Sequence, residues 1–148
     1  MSPYGGALLL DMSAWARVLL DRLPPPDRNR FEAAVREGDV WTCEPFLLEA
    51  LYSSRDGEDY RDLSETLAVL PRAPSGPAIL RLALDAQAQL AQAPGVSHRV
   101  KPVDLLVAAV AHEQALGVLH YDHDYDTIAD RSELRLRSVW IAPRGSMP

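Results

Sequence analysis

The chain has 148 residues, of which 47% are hydrophobic, and it carries a formal net charge of −6 at pH 7. This length predicts one domain over residues 1–148 with a proper hydrophobic core and a loose tail at about residues 142–148. The negative charge argues against a surface that coats nucleic acid. Because no apolar run approaches the ~20 residues that span a bilayer and no signal peptide is recognisable, we expect no membrane contact. A single cysteine, Cys43, permits no internal disulfide, which favours a cytoplasmic location.

The first half of the chain is predicted to alternate short strands with helices. Ala7–Leu10 is an apolar run between two glycines and Asp11, which predicts a buried parallel strand. Ser13 is the candidate N-cap of the helix that follows. The other elements predicted here are helices at Ala14–Leu23, ended by Pro24, and at Arg28–Glu37, capped by Asp27, then a strand at Val40–Thr42 and a helix at Glu44–Tyr52.

The second half is predicted to be richer in helix. Apolar residues recur there at spacings of three and four, which is helical periodicity. The predicted elements are helices at Asp59–Leu70 and Pro77–Gln92, a loop at Ser97–Lys101, a helix from Asp104 ended by Gly117, a strand at Val118–Leu119, a helical turn at Tyr125–Ala129 and an edge strand at Leu134–Ile141. Strands alternating with helices predict a layered α/β fold with a mainly parallel sheet.

Five carboxylates stand where such a sheet presents its carboxyl edge. Asp11 ends the first strand, and Asp122 and Asp124 follow the third. Asp104 opens the helix before that third strand. Glu49 lies in the helix after the second strand, where solvent exposure is the favoured interpretation of this residue taken alone. Converging carboxylates repel one another, and a hard divalent cation such as Mg²⁺ or Mn²⁺, bound singly or as a pair, removes that repulsion.

A family resemblance is carried by four segments in a fixed order: LLLDMSAW, TCEPFLLEALY, VKPVDLLVAAVAHEQALGVLHYDHDYDTIA and the closing VW. Together they resemble the PIN-domain ribonucleases, and most closely the VapC-type toxins of bacterial toxin–antitoxin pairs. The resemblance runs from about Leu8 to Trp140. The family's acids fall on Asp11 in Asp-x-Ser, Glu49 before Leu51, Asp104 in Asp-x-x-x-Ala-Ala, and Asp122 in Asp-x-Asp-aromatic with Asp124 and Tyr125.

The resemblance implies a three-layer α/β/α sandwich and Mg²⁺-dependent endonucleolytic cleavage of RNA, with Mn²⁺ able to substitute. It implies that Asp11 and Asp104 are the core metal ligands and that Glu49 and Asp122 complete the catalytic site. A small antitoxin whose C-terminal segment reaches the acids would be the protein partner, and a homodimer is usual in the family.

Three further residues are expected to support these ligands. Ser13 orients Asp11 or a water, and Asp124 either binds a second ion or caps the next helix. His120 stands where many members have threonine, so it either positions a water or the acid, as threonine is thought to do, or contacts RNA. Asp126 and Asp130 are expected to be solvated surface charges.

Two other functions remain open at this point. A receiver-like signalling domain also gathers acids at the carboxyl edge and binds Mg²⁺, although this chain has no paired acid before its first helix. A catalytically idle PIN-like module that only binds protein is the second alternative, and the intact set of acids argues against it.

Overall fold

A computed structural model describes residues 2–96 and 98–147, so the predicted loop at Ser97–Lys101 lies in part outside the described residues. Over the described part, seven α-helices flank a four-stranded parallel sheet, which confirms the predicted α/β/α class. The elements are β1 Leu8–Leu10, α1 Met12–Leu19, α2 Pro25–Arg36, β2 Val40–Trp41, α3 Glu44–Tyr52, α4 Gly57–Leu67, α5 Ile79–Gln92, α6 Pro102–Gln114, β3 Gly117–His120, α7 Asp124–Arg131 and β4 Ser138–Trp140.

The sheet has the strand order β2-β1-β3-β4, with every pair parallel. Leu8, Leu9 and Leu10 of the central β1 are fully buried, as continuous apolar strands of parallel sheets usually are. β1 pairs with β3 in a register that sets Leu8 opposite Gly117. The carboxyl ends of the two central strands therefore meet at one edge of the sheet.

The sequence predicted that helix α6 ends at Gly117, but the helix ends before that residue. Ala115 ends it by adopting a left-handed conformation with φ 56°, and Gly117 is the first residue of β3. A Cβ atom at Gly117 would collide with the Leu8 side chain and would lie 3.0 Å from the Arg137 carbonyl oxygen. Glycine is needed here because β1 and the segment before β4 both approach β3 closely.

Two predicted N-caps were also wrong. Asp11 caps α1, because its carboxylate accepts the backbone N–H of Ser13, and Ser13 lies within the first turn. Pro24 occupies the N-cap position of α2, which places Asp27 inside the first turn, where its charge still suits the helix dipole. In both cases the helix begins earlier than its polar side chains indicated.

The predicted last strand is shorter than its alternating pattern indicated. β4 covers Ser138–Trp140 at the sheet edge, and Leu134 is buried outside the strand. The backbone N–H of Glu133 donates to the Gln89 side chain, and that of Arg135 donates to His112. Side chains of α5 and α6 thus take the place of strand pairing before β4.

The described C-terminal residues 142–147 return to the body of the protein, although the sequence predicted a loose tail. Ala142 is buried, and the Tyr121 hydroxyl bonds to both backbone groups of Met147, at 2.8 Å from its N–H and 3.1 Å from its carbonyl oxygen. Within the described ranges, we find no helix that combines the length and apolar character needed to cross a membrane.

Candidate functional site

Four of the predicted acids line one pocket at the carboxyl edge of the sheet. Asp11 follows β1, and Asp122 follows β3. Asp104 lies in the first turn of α6, and Glu49 belongs to α3. We call this cavity of about 310 Å³ the acidic pocket. Its lining is completed by Met12, Ser13, Ala16, Arg17, Lys101 and Tyr121.

Asp11 is held rigidly by three donors. Its Oδ2 accepts hydrogen bonds from the Ser13 backbone N–H at 2.9 Å and from the Ser13 hydroxyl at 2.5 Å. Its Oδ1 accepts a hydrogen bond from the Tyr125 hydroxyl at 2.6 Å. The Ser13 hydroxyl also accepts the backbone N–H of Tyr121 at 2.9 Å, which ties α1 to the chain leaving β3. Ser13 therefore holds one oxygen of Asp11 and in addition joins the two central strand ends.

Tyr125 has a role that sequence reasoning missed. Its ring is fully buried beneath the acidic pocket, and its hydroxyl lies between Asp11 and Asp104. Burial, with the nearby carboxylates, raises the pKa of Tyr125 well above its usual value, so it remains a proton donor. The available signal was the aromatic residue that closes the Asp-x-Asp-aromatic motif.

Within the described part of the chain, Asp104 has a buried oxygen that lacks a hydrogen-bond partner. It is only 3% exposed, and its Oδ2 is buried without a hydrogen-bond partner among the described residues. Its Oδ1 lies 3.4 Å from the Tyr125 hydroxyl, whose single proton serves the nearer Asp11. Burial, and then the charges of Asp11 and Asp122, raise the pKa of Asp104 to about 8. A buried carboxylate oxygen without a donor is rare and indicates a missing partner.

Glu49 is half-buried in the lining of the acidic pocket, so the solvent-exposed interpretation was wrong. Burial and the charge of Asp11 raise the pKa of Glu49, while Lys101 acts in the opposite direction. Lys101 is exposed, directly precedes α6 and also opposes the raised pKa of Asp104. One ammonium group thus stands beside several carboxylates.

Asp122 connects the acidic pocket to the start of α7. Its Oδ1 accepts the backbone N–H of Asp124 at 3.0 Å, which closes a tight turn after β3. Asp124 lies inside the first turn of α7, with its pKa raised by burial and by Asp122. One ligand atom from each of Asp122, His123 and Asp124 lies within 4.8 Å of the others.

His120 is fully buried, which argues against the alternative that it contacts RNA. Its Nδ1 accepts the backbone N–H of Asp122 at 3.0 Å, and its Nε2 lies 2.7 Å from the Ser138 hydroxyl. Burial lowers the pKa of His120 to about 4, so the imidazole is neutral at pH 7.

Asp126 is not the solvated surface charge that the sequence predicted. Its carboxylate accepts hydrogen bonds from the Ser138 hydroxyl at 2.5 Å and from the Trp140 indole N–H at 3.0 Å. Both donors lie in β4, more than ten residues further along the chain, which is why no local pattern revealed them. We call His120, Ser138, Asp126 and Trp140 the His120 network.

The acidic pocket fits a hard divalent cation. Its candidate ligands are all carboxylate oxygens, which such ions prefer. The unpartnered Oδ2 of Asp104 needs a positive or donating neighbour. The raised pKa values of Asp104 and Glu49 come first from burial and then from the charges of nearby acids. A cation held by these acids would partner Asp104 and offset their charges. Among the described residues, the three ligand atoms that already lie within 4.8 Å of one another are those of Asp122, His123 and Asp124.

Comparison with known proteins agrees with this geometry. The family model described as PIN domain matches residues 8–131. Ribonuclease VapC18 of Mycobacterium tuberculosis (strain ATCC 25618 / H37Rv) is 34% identical over 139 residues, which cover 93% of this chain and 97% of that protein.

Solved structures with the same fold include DNA-bound VapBC from Salmonella typhimurium, with a TM-score of 0.71 and 18% identity over 93% of this chain and 99% of the matched one. VapBC-5 from Mycobacterium tuberculosis, described as a member of the VapBC family of toxin-antitoxin systems, has a TM-score of 0.59. Its identity is 23%, with 90% of this chain and 99% of the matched chain covered.

Proposed function

The chain belongs to the PIN domain family, and we propose that it is a metal-dependent endoribonuclease and the toxin component of a toxin–antitoxin pair. Relatives that cover nearly the whole chain are named as VapC ribonucleases, which supports RNA as the substrate. The observation that carries the proposal is the unpartnered Oδ2 of Asp104 in a pocket lined by three further acids.

We assign the metal ligands and catalytic residues to the acidic pocket. Asp11 and Asp104 would hold the ion directly, because they are the most buried of the four acids. Glu49 and Asp122 are more exposed and would complete the coordination directly or through water. Magnesium suits this set, and manganese would substitute, since both take oxygen ligands.

A bound divalent ion supplies positive charge that lowers the pKa of an attacking water and offsets charge developing on the phosphodiester. Ser13 and Tyr125 keep Asp11 in one orientation throughout the reaction. Glu49, whose pKa is raised, can accept a proton from the attacking water. The Lys101 ammonium, exposed in the lining of the pocket, binds the negative phosphate backbone of the substrate.

The proposed partners are an antitoxin protein, the RNA substrate and a second copy of this chain. Two of the solved structures that share the fold are described as VapBC, which supports an antitoxin partner. An antitoxin segment that ends in the acidic pocket would restrain the nuclease until it is released. Action on RNA fits the cytoplasmic location expected from the sequence, and residues 1–148 are proposed to act as one domain.

The receiver-like alternative loses its support, because the family match over residues 8–131 is to the PIN domain. The idle module remains distinguishable by experiment. Its strongest counterargument is energetic, since four acids in one small pocket raise the free energy of the fold unless a cation binds there.

The decisive experiment is cleavage of a total RNA pool by the purified protein with Mg²⁺, with Mn²⁺ or with EDTA. We expect cleavage with either ion, none with EDTA, and none with the Asp104→Asn variant. The matched control is Asp130→Asn, which removes an exposed carboxylate paired only with Arg131 among its described contacts. Absence of cleavage by the antitoxin-free wild type with every ion would refute the nuclease and favour the idle module.

A further inference from the structure

The His120 side chain joins two structural units through opposite ring nitrogens. It is the last residue of β3 and is fully buried. Its Nδ1 faces the backbone N–H of Asp122 at 3.0 Å, and its Nε2 faces the Ser138 hydroxyl at 2.7 Å. One imidazole therefore lies between β4 and the turn that carries Asp122.

The donors of the His120 network are consistent with one tautomer of the ring. The Asp126 carboxylate accepts two hydrogen bonds, from the Ser138 hydroxyl at 2.5 Å and from the Trp140 indole at 3.0 Å. The single proton of Ser138 is thus used, so its oxygen accepts a hydrogen bond from the Nε2–H group of His120. Nδ1 must then carry no proton, which leaves its lone pair for the amide of Asp122.

Aromatic packing fixes the plane of this imidazole. The Tyr125 ring lies 4.9 Å from it at an interplanar angle of 31°, and the Trp140 ring lies 5.0 Å from it at 61°. Tyr125 is the same residue whose hydroxyl holds Asp11. A rotation of His120 would disturb packing on two sides as well as both hydrogen bonds.

We propose that His120 is a positioning residue, oriented by Ser138 and Asp126, that fixes the main chain of Asp122 and thereby sets where the Asp122 carboxylate lies in the acidic pocket. Other hydrogen bonds restrain the turn on either side of this amide, because the Tyr121 N–H donates to the Ser13 hydroxyl and Asp122 accepts the N–H groups of Asp124 and Tyr125. The Asp122 side chain itself is 25% exposed, so it has room to shift. Removal of the acceptor at Nδ1 frees the amide of Asp122 and lets its carboxylate move. The expected effect of this shift on RNA cleavage rests on the proposed nuclease function.

Two substitutions of His120 distinguish a role in positioning Asp122 from a general role in stabilising the fold. In His120→Asn the carbonyl oxygen takes the place of Nδ1, so the link to Asp122 is kept and the link to Ser138 is lost. In His120→Gln the amide nitrogen takes the place of Nε2, so the opposite link is kept. Both remove the aromatic ring, and we expect similar losses of thermal stability.

We expect His120→Gln to reduce Mn²⁺ affinity and kcat about tenfold, as outer partners of metal ligands commonly do. His120→Asn should retain both within about threefold, because it still holds the Asp122 amide. KM for RNA should be unchanged in both variants, since position 120 is buried. Equal losses in the two variants, or a change in KM alone, would overturn the proposal.

A double-mutant cycle tests the role of Asp126. The combined effect of His120→Gln and Asp126→Asn on Mn²⁺ affinity should be smaller than the product of the single effects, because both act through one chain of hydrogen bonds. Pairing His120→Gln with Asp130→Asn should give a simple product. A multiplicative result in the first cycle would remove Asp126 from the proposed role.

Nitrogen NMR of the wild-type imidazole tests the proposal without any catalysis. We expect Nε2 to be protonated and Nδ1 to be unprotonated at pH 7. A protonated Nδ1 would overturn the positioning role even in an active nuclease. Conversely, a wild type that cleaves no RNA but shows this tautomer and the tenfold Mn²⁺ difference would refute the nuclease alone.

Discussion

The acidic pocket and the His120 network are both buried polar clusters at the same edge of the sheet, but they differ in how well their groups are satisfied. In the His120 network, the Asp126 carboxylate accepts two hydrogen bonds, and both ring nitrogens of His120 have hydrogen-bond partners. In the acidic pocket, Oδ2 of Asp104 has none among the described residues. The two clusters touch through the ring of Tyr125.

This difference separates a structural use of buried polarity from a functional one. A satisfied network stabilises one conformation and has no free capacity for a ligand. A cluster with repelling charges and an unpartnered oxygen raises the free energy of the fold and gains most when a cation binds. Similar amino acids can therefore have opposite effects on stability a few ångströms apart.

The largest effect is expected from Asp11→Asn, which removes a charge from the acidic pocket. We expect kcat/KM for RNA to fall at least about 1,000-fold, equivalent to ~4 kcal/mol, because one core ligand is lost. The circular dichroism spectrum should match the wild type. Activity within tenfold of the wild type, judged beside Asp130→Asn, would remove Asp11 from the proposed site.

The pH dependence of metal-free stability is expected to show the strain in the acidic pocket. Because the folded pKa of Asp104 is raised to about 8, above the 3.8 of a free carboxyl, the folded protein binds this proton more tightly than the unfolded chain. The stabilisation is complete below pH 4 and is lost as the pH rises through 8. We expect urea unfolding in EDTA to report a loss of a few kcal/mol across this range.

The Asp104→Asn variant is the control for that profile. His120 acts in the opposite sense, because its lowered pKa of about 4 contributes stability above pH 6.5 that is lost as the pH falls through 4. This contribution is common to both proteins and cancels in their difference. The variant should be the more stable at pH 8 without metal, and Mn²⁺ should stabilise only the wild type. If stability changed with pH in the same way in the wild type and in Asp104→Asn, the buried Asp104 carboxylate would not be destabilising the fold.

A smaller effect is expected where the two clusters meet. Tyr125→Phe removes the donor to Asp11 and should lower the free energy of unfolding by about 2 kcal/mol, since a buried carboxylate oxygen loses its partner. Tyr4→Phe is matched, because the Tyr4 hydroxyl is also buried but has no partner among the described residues. Its effect should be within about 0.5 kcal/mol or stabilising. Equal effects, measured by urea unfolding, would contradict the assigned hydrogen bond.

The smallest effect is expected from Asp126→Asn in the His120 network. The new amide can accept one hydrogen bond through its oxygen but presents an NH₂ group to the other donor. We expect a loss of about 1 kcal/mol at pH 7, opposite in sign to Asp104→Asn in EDTA. A stabilised Asp126→Asn variant in thermal unfolding would erase the contrast between the two clusters.

The sequence predicted the members of the acidic pocket because their positions are set locally. Asp11 directly follows an apolar run, and Asp104 opens a helix after Pro102, so each has a defined place once the sheet is parallel. The strand order β2-β1-β3-β4 was not predicted, because the alternation of strands and helices indicates a parallel sheet but not which strands are neighbours. Glu49 was harder, since one helix alone does not reveal which neighbours its acid faces.

The His120 network could not be predicted, because its contacts join residues that are distant in the chain. His120 and Ser138 are 18 positions apart, and Asp126 meets β4 across a turn whose course depends on the fold. The prediction of the N-cap of α1 was wrong for a different reason. Asp11 and Ser13 are both good capping residues, and only their geometry decides between them.

The pairing of Leu8 with Gly117 has a consequence for the timing of synthesis. Asp11 receives its hydrogen bond from Tyr125, 114 residues later, and the hydroxyl of Ser13 receives one from Tyr121 at a separation of 108. Such distant contacts close late in folding, because long loops must be ordered first. A chain still emerging from the ribosome therefore lacks the acidic pocket until β3 and α7 have been made, so the site is absent throughout the synthesis of the first six helices.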